Sequence, residues 1–227
     1  MPIVIEKVTA FVTRPTEEGL DLLLLEHPFA GIQIPAGTVE DEMPEEAVLR
    51  EVAEETGIDS ATIGRYLGGD RGPLPEGQRI IAASTKVYAR PDATSFDWAT
   101  LRKGIRVTVK RRESGFSQVT YEEPDRVPEP SFVTMSITGW VSDGVLADTT
   151  LRHFFQLEYD GPSEERWTIF ADNHTFTLFW APLSDLPGII PPQDEWLDYL
   201  HRGLRERTVR IRAGEQEALG ARSGPGR

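Results

Sequence analysis

The chain has no cysteine among its 227 residues, so neither a disulfide framework nor export to an oxidising compartment is supported. It also lacks any apolar run near the roughly 18 residues that would suggest a membrane span. The longest such stretches, Leu22 to Leu25 and Leu178 to Ala181, are strand-sized. Nor does the N-terminal stretch hold the basic segment and apolar core of a secretory signal, so the expected location is the cytoplasm, with no membrane role. Cations are in deficit, with 24 Lys and Arg against 37 Asp and Glu and a net charge of −13. Such a surface repels polyanions, and broad nucleic-acid binding is not expected. Histidine is scarce as well. His27, His153, His174 and His201 form no His-x-x-x-His pair, which leaves a zinc site without support.

What the chain does contain is strand-like sequence broken by turns. Ile3 to Thr13 and Leu20 to Leu25 flank Pro15-Thr16-Glu17-Glu18-Gly19 and predict a hairpin. Ile32 to Ile34 leads into Pro35-Ala36-Gly37, after which the pattern turns helical. Pro44 suits a first helical turn and Gly57 a left-handed residue just past the end, so a helix is expected over Pro44 to Thr56. Strands are then predicted at Ile63 to Leu67, Arg79 to Tyr88, Ile105 to Lys110, Gln118 to Glu122, Phe132 to Val141, His153 to Tyr159 and Thr175 to Trp180. A second helix is expected over Asp194 to Arg205, where Trp196, Leu197, Leu200 and Leu204 recur at helical spacing. Many strands with few helices point to an α/β protein with a mixed sheet. From Ala213 to Arg227 there is little to bury, and a frayed tail is expected after a domain of residues 1–212.

The helix carries the chemistry. At 100° per residue, Leu49, Val52, Ala53 and Thr56 fall on an expected inward side, opposite Glu51, Glu54 and Glu55. These three glutamates lie at i, i+3 and i+4, where like charges repel by roughly a few tenths of a kcal/mol per pair. Arg50 relieves part of that repulsion, and a hard divalent cation, Mg²⁺ with Mn²⁺ as the alternative, would relieve more. Mg²⁺ prefers oxygen ligands and joins carboxylates to substrate phosphates. An acidic helix face is also what a solvated surface presents. The loop before it distinguishes the two, because Gly37 joins a strand to the acidic helix in a turn that lets backbone approach a ligand closely.

Gly37-Thr38-Val39-Glu40-Asp41-Glu42, followed by Arg50-Glu51-Val52-Ala53-Glu54-Glu55-Thr56-Gly57-Ile58, resembles the signature of the Nudix hydrolase family. The second half matches throughout. The first half is one residue short between Gly37 and Glu42, so either Ala36 stands at the motif glycine or the loop is shortened. The resemblance implies an α/β/α sandwich that hydrolyses a diphosphate bond in a nucleoside diphosphate linked to another moiety. It makes Glu51, Glu54 and Glu55 the metal ligands, with Glu51 also a candidate base and Arg50 orienting a carboxylate. A further base or ligand from a later loop would be Glu164 or Glu165, with Asp172 behind them. Pro73, fifteen residues beyond Ile58, stands where ADP-ribose-type members tend to carry proline.

About sixty residues, near 90–150, exceed a minimal member and read as a β-rich insertion. It could cap the site, form a homodimer contact or select the substrate. Within it Arg102, Lys103, Arg106, Lys110, Arg111 and Arg112 occur without an acidic residue. They either meet phosphates, Arg106 and Lys110 among them, or simply expose charge to water. Besides the hydrolase, two readings stand: a nucleotide-sugar-binding regulatory module, and a structural Ca²⁺ or protein-contact helix.

Overall fold

The computed structural model describes residues 2–206, apart from 128, 163, 172 and 173. Asp172 and the tail expected from Ala213 lie outside the described residues. The chain runs β1 (Val4–Thr16), β2 (Gly19–His27), β3 (Gly31–Gln33), β4 (Ala36–Thr38), α1 (Pro44–Thr56) and β5 (Thr62–Pro73). It continues with β6 (Gln78–Ile81), β7 (Thr85–Tyr88), β8 (Asp97–Leu101), β9 (Arg106–Glu113), β10 (Phe116–Pro124) and β11 (Val133–Ser142). A 3₁₀ turn leads to β12 (Leu146–Ala147), then β13 (Thr149–Glu158), β14 (Arg166–Ala171) and β15 (His174–Pro182). Residues 193–206 form the second helix, α2. No helix among the described residues is long and apolar enough to cross a membrane.

Two sheets result. The first has the order β14-β15-β2-β1-β13-β5, with β3 beside β2 and β4 beside β1. It is mixed: β1 pairs in parallel with β13, whereas its other ladders are antiparallel. Alternation along β1 fixes its two faces. Val8, Ala10 and Val12 pack with Val48 and Val52 of α1, while Phe11 packs with Phe154 and Leu200 of α2 on the reverse side. The α/β/α sandwich follows. The second sheet, β12-β6-β9-β10-β11-β7-β8, is built wholly from residues 78–147. Its own core gathers Ile81, Val87, Leu101, Val107, Val119 and Val141, and a small cluster of Ile5, Ile80 and Ala147 ties it to β1.

Three local expectations are corrected. The strand predicted over Ile63 to Leu67 runs on to Pro73 as the edge strand β5, whose backbone pairs with β13 as far as Thr149. Arg79 to Tyr88 is two strands, broken after Ile81. On α1 the buried stripe is Ala47, Val48, Val52 and Thr56, and Leu49 is left exposed. That rotation matters, because it moves Glu51 and Glu55 from the far side to the flank of the core, where both are half-buried.

Candidate active site

The short segment from Ile34 to Met43, which includes β4, is shaped by α1. Glu51 lies so close beneath Gly37 that a Cβ there would fall 1.8 Å from the Glu51 carboxyl carbon. The glycine requirement of this loop therefore rests on position 37. The amides on either side then donate to the helix: Thr38 N to Glu51 Oε1 at 3.1 Å and Ala36 N to Glu55 Oε2 at 3.0 Å. Carboxylates receiving backbone amides are charge-assisted acceptors held in one place.

Arg50 draws the rest together. Its Nε and Nη2 donate to Glu42 Oε1 at 3.0 and 2.7 Å, its Nη1 to Glu51 Oε1 at 3.0 Å and Glu54 Oε2 at 3.1 Å, and its Nη2 to the Thr38 carbonyl at 3.1 Å. Glu42, the motif carboxylate eight residues before Arg50, thus serves as the partner that anchors Arg50. The guanidinium holds the Glu42 carboxyl below its usual range and is itself raised, chiefly by Glu42. For Glu51 burial dominates and pushes the carboxyl up, against the pull of Arg50 and the Thr38 amide.

Apart from Glu42, these groups line a cleft of about 540 Å³. One wall is Ala36, Gly37, Thr38, Glu40, Arg50, Glu51, Glu54 and Glu55. The other comes from the second sheet and consists of Ser84 and the β8–β9 turn Arg102-Lys103-Gly104-Ile105, with His174 also present. A larger cleft of about 680 Å³ beside the β1–β2 turn is lined by Glu17, Glu18 and Asp21 and, among the described residues, by no Lys or Arg. It is poorly suited to an anionic substrate.

The expected site residues divide accordingly. Gly37, Arg50, Glu51, Glu54 and Glu55 come together in the cleft. Arg106 and Lys110 do not line it, and the cations that do are Arg102 and Lys103 of the same basic run. Glu165 is engaged by Arg14 at 2.7 Å, which also holds Asp21 at 2.9 Å, and Glu164 is exposed; neither lines the cleft. Of the histidines, His174 does, with its ring 4.7 Å from that of His27.

The oxygen-only donor set suits a hard, partly hydrated ion such as Mg²⁺. As placed, however, no three His, Asp or Glu side chains among the described residues converge on a single ion position. Arg50 holds one oxygen each of Glu51 and Glu54, so the carboxylates form a lined wall for a hydrated ion instead of a closed cage.

Lys7 is the residue that the sequence reading passed over. It lies on the α2 side of β1, donates to Thr38 Oγ1 at 3.2 Å and has Arg152 as its cross-strand neighbour. Burial, then Arg152 and Arg106, lower its pKa to about 8. The signal was a charge at an inward position of the β1 alternation.

The site is thus an α/β sandwich's acidic helix and glycine-tight loop facing a second sheet across a two-walled cleft. Residues 5–99 match the family model of the NUDIX domain. A comparison with curated proteins finds no match. Among solved structures, the NUDIX domain of Shewanella oneidensis NrtR complexed with ADP ribose is similar at 16% identity, covering 90% of each chain with a TM-score of 0.43.

Proposed function

We propose that this chain is a Mg²⁺-dependent hydrolase of the diphosphate bond in a nucleoside diphosphate linked to another moiety, with an ADP-ribose-like compound as the first substrate to try. The observation that carries the reading is the Arg50 and Gly37 arrangement, which presents Glu51, Glu54 and Glu55 on one wall of a cleft whose other wall is basic. When bound there, Mg²⁺ would polarise the phosphoryl group and lower the pKa of the attacking water. Glu54 and Glu55 would hold the ion. Glu51 is the candidate to accept the proton of that water, because its burial raises the proton affinity of the carboxylate. Arg50 keeps Glu51 and Glu54 oriented and offsets their mutual repulsion.

Turnover of ADP-ribose and related nucleoside diphosphate conjugates with Mg²⁺ tests this in Glu54→Gln and Glu55→Gln. A loss of at least about a hundredfold in kcat is expected for each, the order of magnitude for removing a charged group that stabilises the transition state. Near-normal rates in both would sink the proposal. The alternative, a non-catalytic nucleotide-sugar-binding module, draws support from the lack of convergence of the carboxylates as placed. Stoichiometric ligand binding without product, over a panel of substrates, would favour it.

A further inference from the structure

The second sheet leaves one of its inner strands half uncovered. On one side β11 pairs with β10 from Ser142 against Phe116 to Val133 against Pro124. On the other side its ladder to β7 is the single pair of Trp140 and Tyr88. Beyond Tyr88 the chain turns back toward β8, with Ala89 N donating to the Phe96 carbonyl at 2.9 Å, so β7 does not follow β11 further. Among the described residues, Val133 to Thr138 therefore meet no strand on that side. Alternate residues of such a stretch turn backbone N–H and C=O groups outward, where another strand can pair with them.

Open edges are ordinarily guarded by charge or proline. Here Pro130 to Ser142 contains no charged residue, in a chain where 27% of residues are charged. The side chains that meet water are apolar instead: Phe132, Val133 and Met135 are 63, 48 and 43% exposed. At the other end of the open stretch, Phe96 and Trp98 are 73 and 46% exposed. Gly139 admits the indole there, since a Cβ at that position would lie 3.4 Å from Trp98 Nε1. Five exposed apolar side chains thus bracket one free edge, which is the mark of a contact surface and not of scattered residues.

The edge is also self-complementary. A second copy laid antiparallel, about a two-fold axis near Met135, brings Phe132 and Val133 of each copy to the Trp98 end of the other. Met135 then lies beside its counterpart. A contact in which each end of a patch meets the opposite end of the same patch is what two-fold symmetry requires. Two bodies of charge −13 repel each other, and an uncharged strand is where they approach with least opposition. We infer that the chain forms a two-fold dimer in which Val133 to Thr138 of β11 pairs with the same segment of a second copy, joining the two second sheets into one. This is independent of the hydrolase reading.

Sedimentation equilibrium of the full chain at micromolar concentration is expected to give twice the 25.4 kDa chain mass. Thr134→Lys/Ser136→Lys places like charges across the axis at two exposed positions and should raise the dimer dissociation constant by at least about a hundredfold, with an unchanged circular dichroism spectrum. The control Ser60→Lys/Thr62→Lys adds the same charge at exposed positions by β5, the edge strand of the first sheet, and should leave the constant unchanged. A second readout does not depend on the folding of the lysine variant. The chain has no cysteine, and opposed residues of antiparallel strands have Cβ atoms about 4.5–5.5 Å apart, near disulfide range. Mild oxidation should therefore link two chains of Met135→Cys and not of Ser60→Cys. A monomer at all concentrations, a dissociation constant unmoved by the lysines at 134 and 136, or equal cross-linking of the two cysteine variants overturns the inference.

Discussion

At the scale of single residues, the site depends on one missing side chain and one misplaced charge. Gly37 has no room for a methyl group, since the Glu51 carboxyl group occupies that space. Gly37→Ala must displace Glu51 or the loop, and overpacking of this kind costs about 1–3 kcal/mol. The expected result is a lowered urea midpoint together with a loss of Mg²⁺-dependent turnover larger than the stability change explains. Lys7 gives a pH signature. Its folded pKa, about 8, lies below the ordinary 10.5, held there by burial and by Arg152 and Arg106 against the opposing pull of Glu51. Below pH 8 both folded and unfolded chains carry the proton and the native state bears the cost of the buried charge. Between about 8 and 10.5 the unfolded chain binds more protons, so this residue's contribution to stability rises with pH. Lys7→Met should therefore show its greatest stability relative to wild type near pH 7. Denaturation midpoints of the two proteins should shift toward the wild type's favour as the pH is raised to 10, and a pH-independent difference would refute the assignment.

At the scale of elements, α1 shows why periodicity alone misplaced the carboxylates. Leu49 is more hydrophobic than Ala47, so a composition-weighted face pointed through Leu49, yet the helix packs Ala47, Val48 and Val52 because small residues allow close approach to β1. The helix end behaves as its sequence implied. Gly57 closes it at φ 75°, its N–H donating to the Ala53 carbonyl at 3.0 Å. A Cβ at Gly57 meets nothing nearer than Ile169 Cδ1 at 3.7 Å, so Gly57→Ala isolates the left-handed backbone strain, about 1–2 kcal/mol by thermal or urea unfolding. Arg50→Lys probes the other end of the same motif. Lysine cannot reproduce a fork that serves Glu42, Glu51, Glu54 and the Thr38 carbonyl at once. Turnover should drop by about tenfold or more while the fold persists, as circular dichroism would show.

At the scale of the whole molecule, two sheets with separate cores must hold their facing walls in register across the cleft. The small cluster of Ile5, Ile80 and Ala147 is one of the links between them. Ile80→Ala leaves a cavity there and is expected to cost about 2–4 kcal/mol. Because the cavity loosens the wall carrying Arg102 and Lys103, the Michaelis constant should rise more than kcat falls. The sequence by itself determined the α1 motif, its capping residues, the hairpin of β1 and β2 and the mixed α/β class. Those features are local, since spacing along a helix and turn chemistry act between residues a few positions apart. Tertiary structure alone decided which cations face the carboxylates. Arg102 and Lys103 are far from α1 in the chain, and a glycine turn brings them to the cleft of the glutamates, while strand register sets Arg152 beside Lys7 outside its lining. Charge in a linear sequence has no direction. Here the fold gives it one, because strand register and the close approach at Gly104 set which basic residues face the glutamates and which remain in water.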